Sequence, residues 1–145
     1  MQRNRSVPRS EVIPVLVYPD VRAAVAWLEA ALGFVERVRI GEHHRAQLTR
    51  GSAALIVADV RGHRAAPGGG AASHSIMLRV DDARAALERA REQGATVVSE
   101  PQDHEYGERQ CEIRDPFGHH WTLSQTLLDI APEQWGGQTV NGGHP

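Results

Sequence analysis

The chain contains no lysine: of its 145 residues, 16 are basic, and every one of those is arginine. That absence excludes Schiff-base catalysis, pyridoxal phosphate anchoring and the phosphate-gripping lysine of a Walker loop, all of which need an ε-amino group. Every fixed positive charge is instead a planar guanidinium, suited to carboxylates, phosphates and flat rings. Cysteine is almost as scarce. Cys111 stands alone, which rules out an internal disulfide and a multi-thiolate zinc site. Aromatic residues make up 5% of the chain, little for a pocket built on ring stacking. No apolar run approaches the roughly 18 residues of a membrane span, and the chain opens on polar and arginine residues rather than a basic start and an apolar stretch. The net charge of -2 is too near balance for a general nucleic-acid binder. A cytoplasmic protein with neither membrane nor nucleic-acid partner is expected.

What is present is an internal repeat. The length suits one domain, and the glycine-rich stretch AAPGGGAAS at 65–73 divides it into similar halves. In the first half an apolar run at 12–18 leads to Asp20, a helix cap, and then Ala24, Trp27, Leu28 and Ala31 recur at helical spacing until Gly33. Strand-like stretches follow at 34–40, 45–49 and 53–58. The second half runs likewise: a strand at 75–80, Asp82, a helical stripe of Ala83, Ala86, Leu87 and Ala90 ending at Gly94, then strands at 95–99, 109–114 and 120–126. Asp20-Val-Arg-Ala-Ala matches Asp82-Ala-Arg-Ala-Ala at an offset of 62, Gly33 matches Gly94 at 61, and Gly51 matches Gly118 at 67. The expected organisation is an N-terminal tail at 1–11, one domain at 12–126 (repeat one 12–60, linker 61–73, repeat two 74–126) and a C-terminal tail at 127–145. The expected fold class is α+β: tandem βαβββ repeats forming a cup-shaped mixed sheet with the helices outside, because one such unit cannot cover both faces of its sheet alone. Arg3, Arg5 and Arg9 crowd the N-terminal tail, read as a solvated segment, with a basic nucleic-acid arm as the alternative.

RVDDARAALERAREQGA at 79–95 and YGERQCEIRDPFGHHWTLSQ at 106–125, set in this tandem repeat, resemble the vicinal oxygen chelate superfamily of glyoxalase I, extradiol dioxygenases and bleomycin-resistance proteins. The resemblance covers roughly residues 12–126. It implies a homodimer and, in metal-dependent members, four inward His or Glu side chains holding one divalent ion, which polarises substrate oxygens. Counted from the helix-opening aspartates and from Gly51 and Gly118, the ligand stations fall on Ile13, Ser75, Leu55 and Thr122, none a good ligand. The resemblance therefore implies a cup with no metal and no cofactor, unless His74, His44 or His120 forms a displaced site.

Alternation places Ser75, Met77, Arg79, His120, Thr122 and Ser124 inward in repeat two, and Ile13, Val15, Val17, Leu55 and Val57 inward in repeat one. One wall is polar and the other apolar, which suits an amphipathic small molecule. Arg79 would meet an anionic or ring-bearing ligand, or else form a salt bridge with Glu112 or an acidic loop residue. Glu112 and His120 are candidate acid-base residues. Tyr106 and Arg109, in the 103–109 loop at the cup mouth of similar proteins, form either a ligand lid or an ordinary turn. Trp121 and Cys111 should point the other way, into the core, and Trp135 should brace the C-terminal tail against the partner or its own repeat. The expected function is small-molecule binding, sequestering or carrying an amphipathic ligand in the manner of bleomycin-resistance proteins, with ligand contacts from Ser75, Met77, Arg79, Tyr106, Arg109 and Thr122. The alternative is a lyase or isomerase of glyoxalase type, either metal-dependent with shifted ligands or metal-free through Glu112 and His120.

Overall fold

Asp20 and Asp82, the aspartates that open the two repeated segments, each cap a helix. Their carboxylates accept from the backbone amides of Ala23 and Ala85, both at 3.0 Å, contacts worth about 1 kcal/mol apiece. The computed structural model describes residues 1–143, so positions 144 and 145 of the C-terminal tail lie outside the described residues. Its elements run β1 (Val15–Val17), α1 (Val21–Leu32), β2 (Val35–Ile40), β3 (Arg45–Arg50), β4 (Ala53–Ala58), β5 (Ile76–Arg79), α2 (Ala83–Glu92), β6 (Thr96–Asp103), β7 (Glu108–Arg114) and β8 (His120–Thr126). The class is α+β, as expected. Gly33 ends α1 in the left-handed region at φ 75, donating its amide to carbonyls of the last turn.

The strands form two four-stranded mixed sheets, ordered β1-β4-β3-β2 and β5-β8-β7-β6. In each, the strand before the helix runs parallel to the last strand of its repeat, and the other pairings are antiparallel. One face of each sheet packs against the helices into a shared core: Leu16, Leu48, Leu55 and Val57 from repeat one meet Leu78, Cys111, Trp121 and Leu123 from repeat two. The opposite face of each sheet points away from the helices and is called the cup face below. Among the described residues, no helix is long and apolar enough to cross a membrane.

Polar contacts also join the repeats. Buried Asp115 accepts from Tyr18 Oη at 2.7 Å, from Trp121 Nε1 at 3.2 Å, and from the amides of Phe117 and His119, both at 3.0 Å. His119 Nε2 lies 2.7 Å from the Val17 carbonyl oxygen. The C-terminal carbonyls of α1 attract guanidinium groups from outside the helix: Arg89 donates to Ala30, and Arg50 to Leu32.

Two expectations need correction. Leu55 and Val57 do not face the cup; they are 2% and 0% exposed, on the helix side. Val15 pairs with Ile56 and Val17 with Ala58, so the cup face of β4 carries Ala54, Ile56 and Ala58. The slip comes from unequal turns. Gly51 sits in a tight connection closed by Arg50 and Ala53, whereas Gly118 sits in the longer 115–119 connection closed by Arg114 and His120. Aligning the two glycines shifts repeat one by one residue, which swaps its faces. Secondly, the N-terminal tail is not a free solvated segment: Pro8 is buried, and Gln47 donates to the Ser6 carbonyl at 2.7 Å.

Candidate functional site

The cup face of repeat two carries most of the polar groups. On β8, His120, Thr122 and Ser124 alternate with the buried Trp121 and Leu123. Thr122 is flanked by Met77 on β5 and Glu112 on β7, and Ser124 by Arg79 and Gln110. His120 Nδ1 stands 3.6 Å from Glu112 Oε1, close but beyond hydrogen-bond length. The two line an open groove of about 380 Å³ together with Ser73, His74 and Ser75. Further along the sheet, Tyr106 Oη donates to Gln110 at 2.8 Å, Gln110 Nε2 to Ser124 Oγ at 3.0 Å, and Ser124 Oγ to Glu108 at 2.8 Å. This relay joins four side chains, of which only Ser124 was assigned inward from the sequence.

Arg79 donates to Thr126 Oγ1 at 2.9 Å and makes no salt bridge to Glu112. Met77 remains 61% exposed in the middle of this polar surface. Tyr106 is half-buried, its ring stacked on His104 with centroids 4.9 Å apart and tilted against Trp135 at 5.2 Å. Trp135 thus braces the C-terminal tail on its own repeat. Gly107 has φ 85, and a Cβ there would overlap the Leu128 carbonyl oxygen, so the tail seals the 103–109 loop at a position only glycine fits. Arg109 does not join the cup. It alternates with Gln110 onto the helix side and pairs with Asp103 at 2.6 Å, holding that carboxyl below its ordinary range. Cys111 is buried on the same side, and desolvation, with Glu100 adding to it, pushes its thiol up to about 11. It is no nucleophile at neutral pH.

The donor set does not fit a chelated divalent ion. The ligand stations of repeat one fall on Ile13 and, in the observed register, on Ile56, the partner of Val15; neither can ligate, and among the described residues no three His, Cys, Asp or Glu side chains converge. His44 lies 3.2 Å from Asp59, which already holds Arg61 and Arg64; His74 is exposed beside Ser73.

Tandem βαβββ repeats with polar groups gathered on one open sheet face define a protein of the glyoxalase-like class. Residues 12–123 match the Glyoxalase/Bleomycin resistance protein/Dioxygenase superfamily, and the chain belongs to it. Among solved structures, TioX from Micromonospora sp. ML1 is 30% identical with a TM-score of 0.67, covering 81% of this chain and 99% of that one. The fold is shared with the fosfomycin resistance protein FosX of Mesorhizobium loti, at 15% identity, TM-score 0.63 and coverage of 84% and 96%. An uncharacterized protein of Mycobacterium tuberculosis is 43% identical over 56 residues, which span 39% of this chain and 33% of that relative's length; the corresponding figure for a Mycobacterium bovis relative is 37%.

Proposed function

We propose that the protein binds a small amphipathic molecule on the cup face of repeat two and sequesters or carries it without a metal. The observation that supports this reading is the setting of Met77. A large apolar side chain, 61% exposed, stands on a rigid strand between Ser75 and Arg79, with Thr122 beside it. Apolar surface ringed by a few fixed polar groups is the usual design of a small-molecule site, and Arg79 supplies a permanent charge to orient the ligand. The proposal includes a homodimer in which a partner chain completes the open face.

The test is a thermal-shift panel of thiol conjugates, aromatic and cationic antibiotics, and divalent metals. A ligand at a hundred times its Kd stabilises by about 2.7 kcal/mol, and Arg79→Ala should remove most of the resulting shift. A panel with no response, or a shift that survives Arg79→Ala, would overturn the assignment; a stoichiometric metal in the purified protein would overturn its metal-free form. One observation favours a second reading. His120 and Glu112 stand side by side at 3.6 Å on the open groove, an arrangement able to move a proton on a bound substrate. Glu112→Gln and His120→Ala would then abolish turnover while preserving binding.

A further inference from the structure

The cup face of repeat one is covered by the chain's own N-terminal segment. Gln47, 6% exposed on that face, donates to the Ser6 carbonyl; Arg37 donates to the Arg5 carbonyl at 2.6 Å, and Ser10 to the Ser52 carbonyl at 2.8 Å. The segment itself, with Ile13 and Arg37, encloses a cavity of about 660 Å³, within the size range of small-molecule sites. Val7 and Ile13 give it an apolar side, and Arg3, Arg5, Arg9 and Arg37 line the rest, with Glu11 as the sole acidic residue in the lining.

Four guanidinium groups gather at this one cavity, whereas of the twelve arginines outside it six are ion-paired and Arg45, Arg50, Arg79, Arg84, Arg89 and Arg114 are spread over the rest of the chain. Arg22 and Arg39 are neutralised by Glu36, Arg61 and Arg64 by Asp59, Arg91 by Glu88 and Glu100, and Arg109 by Asp103. Arg37 meets only neutral acceptors, the Gln47 amide oxygen and the Arg5 carbonyl. Among the described residues, no carboxylate lies within ion-pair distance of Arg3, Arg5, Arg9 or Arg37. A guanidinium cannot shed its charge, so the cavity holds four positive charges against the one carboxylate of Glu11, beside apolar surface.

We propose that this cavity is a second binding site, for a small organic anion with an apolar body (a carboxylate, sulfonate or phosphate ester), walled by the N-terminal segment and Arg37. It lies on the opposite repeat from the site proposed above and stands or falls separately from it. The segment is anchored through backbone carbonyls of Arg5 and Ser6, so side-chain changes at its arginines leave its backbone in place.

The probe is 8-anilinonaphthalene-1-sulfonate, titrated by fluorescence against the full chain, with uncharged N-phenyl-1-naphthylamine as control. The expected result is saturable one-to-one binding of the sulfonate that weakens about tenfold in the triple variant Arg3→Gln, Arg5→Gln, Arg9→Gln, the scale of a few partly exposed charge contacts. Deletion of residues 1–10 should weaken it at least as much, while the uncharged probe binds wild type and triple variant alike. Unaltered circular dichroism of the triple variant keeps that result interpretable if the deletion fails to fold. Absence of saturable binding, equal affinity in the triple variant, or tighter binding after deletion, as for a plug removed from the sheet, would each overturn the proposal. If Arg79→Ala alone abolishes sulfonate binding, the anion sits on repeat two: this proposal fails and the earlier one stands.

Discussion

Replacing Tyr18 by phenylalanine tests the polar link between the repeats. The Tyr18 hydroxyl donates to Asp115 Oδ2 at 2.7 Å, and that oxygen has one further donor, Trp121 Nε1 at 3.2 Å. Tyr18 is 0% and Asp115 3% exposed, so water does not replace the lost donor. A buried hydrogen bond to a charged group is worth about 1.5–3 kcal/mol. With a urea m-value of about 2 kcal/mol/M, the unfolding midpoint of Tyr18→Phe should fall by roughly 1 M urea at pH 8. The same contact has a pH signature. Burial, reinforced by the charge of Asp115 and the hydrogen bond to it, holds the Tyr18 pKa far above the ordinary tyrosine value. Above pH about 10 the unfolded state therefore binds fewer protons than the folded one, and wild-type stability falls by up to about 1.4 kcal/mol per pH unit through this group. The variant's phenyl ring cannot ionise, so the gap between the two proteins should narrow as pH rises from 10 to 11. The missing lysines make this window legible, because no ammonium side chains titrate in it; Cys111 also contributes there, but equally in both proteins. A difference below about 0.5 kcal/mol at pH 8, or a gap that stays constant to pH 11, would refute the reasoning. A double-mutant cycle with Asp115→Asn should give a coupling of about 1 kcal/mol or more.

Two other predictions concern ionisable groups. Hydrogen bonds from Arg22 and Arg39 hold the Glu36 carboxyl at about 2; a depressed acid stabilises the fold above its unfolded pKa and loses that effect as pH falls, so stability should drop between pH about 4.5 and about 2. Glu36→Gln should flatten that part of the urea-unfolding profile, and an unchanged acid limb would count against the pairing. Cys111, buried and with its thiol raised to about 11, should react with a disulfide reagent at pH 8 only slowly in the folded protein and within minutes in concentrated urea; fast native labelling would mean that the core opens at β7.

The helices, the succession of strand, helix and three strands along each repeat, and the inward set of repeat two were legible because each is written locally. Asp20 and Asp82 are caps with a helical stripe behind them, and β7 and β8 alternate buried and polar residues along their length. The alternation of β4 could not be read, since AALIVA is apolar throughout. Its register then rested on the position of Gly51, which the longer turn around Gly118 made misleading. Arg109 was misplaced for a different reason: although it opens the expected strand at 109–114, its ligand role came from the position of the 103–109 loop in similar proteins, whereas β7 begins at Glu108 and its alternation turns that guanidinium to the helix side, toward Asp103. The Tyr18–Asp115 contact spans 97 positions. An aspartate at the start of a turn announces its bonds to the following amides, but nothing local announces a tyrosine from the other repeat.

The two repeats share a fold and differ in what covers their open faces. In repeat two the face is polar enough to stand uncovered, and its side chains satisfy one another through the Tyr106, Gln110, Ser124 and Glu108 relay. In repeat one the same positions on the first and last strands are Val15, Val17, Ala54, Ile56 and Ala58, an apolar surface that would be a liability if left in water. Gln47 is the exception, a nearly buried amide whose polar atoms both need partners, and it finds them in Arg37 and the Ser6 carbonyl. Gln47 thus couples the arginine-bearing segment to the apolar sheet. Gln47→Leu should release the segment and, as an independent check on the fold, make Arg5 and Arg9 faster to cleave with trypsin by about tenfold, the effect expected for losing roughly 1.4 kcal/mol of docking. Cleavage at an unchanged rate would mean that the segment is held by something other than this residue.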